Sequence, residues 1–258
     1  MTPIFDANAH PVLSVGDKSE TFADLIGALK EVGFFGAAAV GLPGKDGFEP
    51  TAYIKACRLH SLYPVAGWPN IQSEQIERQI AQFVRWGYPA IKIHPRNSGL
   101  SVRDKRFAQT LKAAADAGLV VFHCCFQFEV DNVLHPIDPL PYVMEAAAAA
   151  SGLRMILMHG GTVEVLRYAE CIRKFRNLLL DLSLTLNRYA GSSLDQDLAY
   201  LFRAFDQRVC LGSDYPDYRP VDVRDRFESL ARGLPDEKRD NIAWRNITAL
   251  LKIDGPAS

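Results

Sequence analysis

Four histidines, His10, His94, His123 and His159, and one aspartate, Asp214, each close a short apolar run in this 258-residue chain. Imidazole nitrogen and carboxylate oxygen are what a divalent ion such as zinc takes three or four at a time, keeping one position open for water. They are also groups that move protons near neutral pH. Brought together by a fold, His10, His123, His159 and Asp214 would surround a single ion. Asp214 would then stand beside the water that the ion activates. Zinc is the metal these donors suit, with manganese as the alternative.

Eight runs recur about every thirty residues, at 3–9, 34–42, 63–68, 90–94, 119–126, 154–159, 178–184 and 209–214. They are β-branched, aromatic or leucine-rich and carry few charges, as strands buried on both faces must be. Amphipathic helical stretches lie between them. Ser73 before 74–86 and Ser101 before 102–117 are expected N-caps. Gly33, Gly87, Gly118 and Gly152 fall between a helix and the next strand, where a left-handed C-cap is wanted. A last helix is expected over 236–252. These eight strand–helix units predict a (β/α)8 TIM barrel, one domain over residues 1–258. In that fold the C-terminal strand ends converge on one pocket. A doubly wound sheet would place a glycine-rich loop after its first strand, and here that strand ends Asp6-Ala7-Asn8-Ala9-His10.

Residues two apart on a strand share a face, so Asp6, Asn8 and His10 point together, as do Lys92 with His94 and Asp181 with Ser183. Polar groups facing a dry core must pair, bind a metal or border solvent. Lys92 is expected to pair with Asp6 or Asp181. Together with Ser183 these residues would form the layer that orients the reacting groups. Arg96 follows the fourth strand, Arg188 and Tyr189 the seventh, and Tyr215, Tyr218 and Arg219 the eighth. The guanidinium fork suits carboxylates. His94, Arg96, Arg188 and Tyr215 are therefore expected to hold a small acidic, cyclic or aromatic substrate. Gln127 shares the parity of His123, 43–47 reads as a turn, and His60 and His135 receive no role.

Composition narrows the partners. Hydrophobic residues make up 48% and charged residues 23%, and the net charge is −1, so nothing favours nucleic acid. No apolar run has the length of a membrane span. The first strand begins at Pro3, which leaves no room for a signal peptide. Five cysteines, Cys57, Cys124, Cys125, Cys171 and Cys210, form no CxxC pair, which fits a reducing cytoplasm. They read as packing residues, with Cys125 and Cys210 facing inward. A homo-oligomer is compatible with all of this.

The same residues carry a resemblance along the whole chain. Ile4-Phe5-Asp6-Ala7-Asn8-Ala9-His10, Ile91-Lys92-Ile93-His94-Pro95, Val121-Phe122-His123 and Met158-His159-Gly160-Gly161 occur in order. Leu180-Asp181-Leu182-Ser183, Leu211-Gly212-Ser213-Asp214-Tyr215-Pro216 and Asn246-Ile247-Thr248 follow. This series resembles the amidohydrolase superfamily, in the branch of pyrone-dicarboxylate lactonases and carboxymuconate-semialdehyde decarboxylases. The resemblance implies one divalent metal on His10, His123 and Asp214, with His159 polarising a carbonyl and Asp214 moving the proton. It departs at Asn8, where the family has a metal-binding histidine; an amide oxygen is a poorer zinc ligand. Some members of the branch open lactones without metal, with the eighth-strand aspartate as base. The expected activity is hydrolysis of a small carboxylate-bearing cyclic ester or amide. The alternatives are nonoxidative decarboxylation and a binding barrel that has lost catalysis.

Overall fold

The computed structural model describes residues 1–13, 20–44, 48–126, 137–150 and 152–256. Gln127, His135 and residues 45–47, singled out above, lie outside these. Eight strands pair in parallel and in sequence order: β1 (Ile4–Ala9), β2 (Phe34–Val40), β3 (Tyr63–Gly67), β4 (Ala90–Ile93), β5 (Val120–Cys124), β6 (Arg154–Met158), β7 (Leu178–Asp181) and β8 (Val209–Cys210). Their first residues match the predicted runs closely; β1 ends at Ala9 as predicted, and the last residues of the other strands come earlier. The final positions of those seven runs leave the ladder.

β8 returns to β1 through irregular backbone. The Leu211 carbonyl accepts from Ala7 N–H, the Asn8 carbonyl from Asp214 N–H and the Tyr215 carbonyl from His10 N–H, each at 2.8 Å. So close an approach requires Gly212. A Cβ there would stand 2.7 Å from Asp181 Oδ1 and 3.0 Å from the Asn8 nitrogen.

At least one helix follows each strand, from Phe22–Glu31 after β1 to Pro220–Leu230 after β8, and a short extra helix precedes the main one after β4 (Pro95–Ser98) and after β7 (Thr185–Arg188). Their apolar faces bury the outward side chains of the strands, such as Ile91, Val121 and Leu157. The inward side chains, including Val65, Ala90, Phe122, Ile156 and Cys210, fill the barrel. The helical segment over 236–251 closes the bottom, with Ile247, Leu250 and Leu251 packed into that interior. Arg154 at the start of β6 fastens it by donating to the Leu250 carbonyl at 2.7 Å.

Two expected caps shift. Ser73 begins a 3-10 turn, Ser73–Gln75, before the helix Ile76–Trp86. Asp104 rather than Ser101 caps Lys105–Asp116, accepting from Arg106 N–H at 2.9 Å. A carboxylate beside the first turn meets the unpaired N–H groups and the helix dipole together. All five cysteines are free. Among the described residues no helix is long and apolar enough to cross a membrane.

Candidate active site

β1 supplies the base of the site. The Asp6 carboxylate accepts from Asn8 N–H at 3.0 Å, Ser213 N–H at 2.9 Å and Ser213 Oγ at 2.5 Å, stitching β1 to the segment after β8. Burial raises its pKa to about 7 against those hydrogen bonds. Two residues on, Asn8 is fully buried, and its orientation is set from both sides. Lys92 Nζ, a donor only, reaches Asn8 Oδ1 at 3.4 Å, and Asn8 Nδ2 donates to Asp214 Oδ1 at 2.6 Å. Lys92 thus reaches an amide oxygen, not the carboxylate of Asp6 or Asp181 that the sequence suggested.

Asp214 is the hub. It sits beyond β8 with φ 58, left-handed for a non-glycine residue. Such backbone costs on the order of 1–3 kcal/mol and collects at functional sites. His10 Nδ1 pairs with the Val40 carbonyl at 2.9 Å, and Nε2 lies 3.4 Å from Asp214 Oδ1. His159 Nδ1 lies 4.0 Å from Asp214 Oδ2. Burial pushes the Asp214 carboxyl up, but His159, His10 and Lys92 overcome it and hold the group below the usual carboxylate range.

His159 is not the last residue of β6. It takes φ 65 and opens the turn His159–Glu164, whose Gly160 and Gly161 are also left-handed. A Cβ on Gly161 would lie 2.2 Å from the Tyr168 ring. His159 Nδ1 lies 3.2 Å from the Ser183 carbonyl and 3.1 Å from Ser183 Oγ. Ser183 also donates to Asp181 Oδ2, which accepts His159 N–H at 3.3 Å. Burial would lower the imidazole pKa, but Asp214 and Cys124 raise it to about 9. The raised value favours the imidazolium form at neutral pH.

His123 does not join this group. β5 pairs His123 with Leu157 and Cys124 with Met158, so His123 shares the outward face of Val121 and Leu157. Its ring packs on Phe107 of the helix Lys105–Asp116 at 5.1 Å, and neither ring nitrogen has a hydrogen-bond partner. Burial lowers its pKa to about 4. The inward residue at the end of β5 is Cys124. Cys125 faces outward, donating to the His123 carbonyl at 3.6 Å, contrary to expectation, whereas Cys210 does face the interior.

The mouth is built on Cys124, Phe126 and Leu184, with Tyr218 packed against them. Arg96 lies over the Phe126 ring at 4.9 Å and Arg188 at 5.2 Å. Arg96 Nη2 also reaches Cys124 Sγ at 3.9 Å and His94 Nε2 at 3.4 Å. His94 has left the strand to become the N-cap of the short helix Pro95–Ser98. Tyr215 goes elsewhere: with Pro216 it lines a groove beside the helix Phe22–Glu31, together with Glu20 and Arg219. Tyr218 takes the place expected of it. Cys124, Phe126 and Leu184 were not among the site residues read from sequence; Cys124 was missed because a strand buried on both faces shows no alternation that marks its inward side, and Phe126 and Leu184 because they lie past the ends of β5 and β7.

The residues do not fit a divalent ion. Among the described residues no three His, Cys, Asp or Glu side chains come together to hold one. His123 is turned away. Asn8 presents its NH2 to Asp214, and the Lys92 ammonium occupies its oxygen.

A nearly closed parallel barrel with His10, His159 and the Asp214 carboxylate converging at one rim defines a (β/α)8 scaffold with an acid–base site at the C-terminal ends of its strands. The family model described as Amidohydrolase matches residues 58–253, and the chain belongs to that family. Curated protein sequences give no match. Among solved structures, a TIM-barrel protein of Bordetella bronchiseptica aligns over 97% of this chain and 98% of its own, at 14% identity and TM-score 0.79. A probable 2-pyrone-4,6-dicarboxylic acid hydrolase of Acinetobacter baumannii, with citric acid bound, aligns over 98% and 100%, at 14% identity and TM-score 0.68. A dihydroxybenzoic acid decarboxylase of Polaromonas, holding manganese and 2-nitroresorcinol, aligns over 98% and 97%, at 12% identity and TM-score 0.70.

Proposed function

We propose that this protein hydrolyses a small cyclic ester bearing one or more carboxylates, and does so without a resident metal. The observation that carries the reading is the Asn8–Asp214 hydrogen bond of 2.6 Å, backed by Lys92 on Asn8. Protein cations and an amide donor there balance the carboxylate that a metal would otherwise neutralise. Asp214 stays ionised and takes the proton of an attacking water. The His159 imidazolium faces the developing oxyanion and protonates the departing ring oxygen. Such help suits a lactone, whose leaving group is already good, better than an amide.

Arg96 and Arg188, on the rim around Phe126, supply charge for a carboxylate-bearing ring. The Acinetobacter hydrolase, with its dicarboxylic substrate and bound citric acid, is consistent with that substrate class. Nonoxidative decarboxylation would need a metal to hold the substrate carboxylate, and the donors for one are not gathered here. The test is a screen of 2-pyrone carboxylates and other acidic lactones, followed by ring-opening absorbance. Turnover of acidic lactones, and none of amides or dihydroxybenzoates, is the expected result. Decarboxylation of a hydroxybenzoate with no lactonase activity would overturn the reading.

A further inference from the structure

Cys124 has no part in the water-activating scheme, yet its surroundings set it apart from the other buried thiols. Cys57 packs in apolar company, and burial pushes its thiol up to about 12. Cys125 and Cys210 are likewise pushed up by burial. Cys124 faces the mouth, with the Arg96 guanidinium 3.9 Å from its sulfur and the side chains of His94 and His159 within hydrogen-bonding reach. His159 in turn reaches Asp214 through Nδ1 at 4.0 Å. Sulfur, imidazole and carboxylate therefore stand in series, the arrangement by which nucleophilic enzymes hold a thiolate–imidazolium pair.

We infer that Cys124 is a catalytic nucleophile, and that ring opening passes through a thioester on its sulfur. The inference rests on the hydrolase reading and adds a covalent step to it. The Cys124 thiolate bonds to the lactone carbonyl carbon, the ring C–O bond breaks, and the departing oxygen takes the proton of His159. A water then adds to the thioester carbon and gives its proton to Asp214, which passes it to the now neutral His159. The C–S bond breaks, the sulfur leaves as thiolate, and the acid product ionises. Asp214 is the counter-ion of His159 in the first step and keeps its role as base toward water in the second. The arginine and the two histidines stabilise the thiolate in a pocket that would otherwise suppress it; the lowered thiol pKa agrees, since burial alone would raise it.

The test uses the whole protein and 4-nitrophenyl acetate as acyl donor, at a pH near 6.5, about two units below an ordinary free thiol. After acid quench, peptide mapping locates the acetyl group. The expected result is acetylation of Cys124 ahead of Cys125 and of the more exposed Cys171. It should be slowed at least about tenfold in His159→Gln and absent in Cys124→Ser. Cys124→Ser should also lower lactone turnover by about a hundredfold or more. No acetyl group on Cys124 in the wild-type protein overturns the inference, whatever becomes of the variant. Undiminished lactone turnover in Cys124→Ser also overturns it and leaves the hydrolase reading standing. Acetylation of Cys124 with no lactone turned over keeps the nucleophile and removes the lactone assignment.

Discussion

Asn8 Nδ2 lies 2.6 Å from Asp214 Oδ1, across 206 residues of chain, at the point where the amidohydrolase resemblance calls for a second histidine. This one exchange changes the electrostatics of the site. An imidazole there would offer a lone pair to a cation; the amide offers a proton to the carboxylate and an oxygen to Lys92.

Restoring the imidazole should restore some affinity for metal. Asn8→His is expected to raise zinc or manganese affinity by at least about tenfold, since imidazole is the better ligand. Equilibrium dialysis with elemental analysis measures it. Uptake equal to wild type would mean that position 8 does not govern the charge balance of the pocket.

Asp214 is the group on which both His10 and His159 converge. Asp214→Asn should lower turnover by about a thousandfold or more, because an amide neither accepts the proton nor holds the imidazolium. The neutral side chain keeps the size of the original, so the melting temperature should stay within a few degrees. A variant as active as wild type would remove Asp214 from the chemistry.

The rate should depend on pH through His159. Its pKa is raised to about 9, so the proton it donates is present at neutral pH and is lost as pH rises through 9. An alkaline fall in kcat near that value is expected, and His159→Gln should lack it while being slower throughout. A flat profile up to pH 10 in the wild-type protein would take the acid role from His159.

His123 makes a prediction about stability. Its folded pKa of about 4 lies below the ordinary 6.5, so between these values the unfolded chain binds a proton that the folded one refuses. Stability is therefore complete above 6.5 and is lost as pH falls toward 4, by up to about 3 kcal/mol. His123→Phe should flatten that acid limb in urea titrations at pH 7 and pH 5. An acid limb unchanged by the substitution would show that His123 is not the group titrating.

The barrel was legible because eight apolar runs recur at strand–helix spacing, and the first ends in Asp6-Ala7-Asn8-Ala9-His10 instead of the glycine-rich loop of a doubly wound sheet. The rim residues were legible in part. His10, His159 and Asp214 come together as their places at strand ends suggested, even though all three lie past the last ladder bond. His123 was misplaced for a physical reason. In Val120-Val121-Phe122-His123-Cys124 every residue is buried, so nothing in the string says which parity looks inward; the pairing with β6 decides it. For the same reason Cys124 read as filler. Tyr215 was misplaced because the backbone twists at Asp214, which turns the next ring toward the helix Phe22–Glu31.

In the proposed reaction Asp214 and His159 carry out hydrolysis in a site balanced by Asn8 and Lys92 instead of by a metal. The most direct measurement is turnover of an acidic lactone such as 2-pyrone-4,6-dicarboxylate by protein stripped with chelator, before and after zinc or manganese is added. Full turnover in the stripped protein, unchanged by added metal, is the predicted result. An inactive stripped protein that regains turnover with either ion would show that the reaction needs a metal.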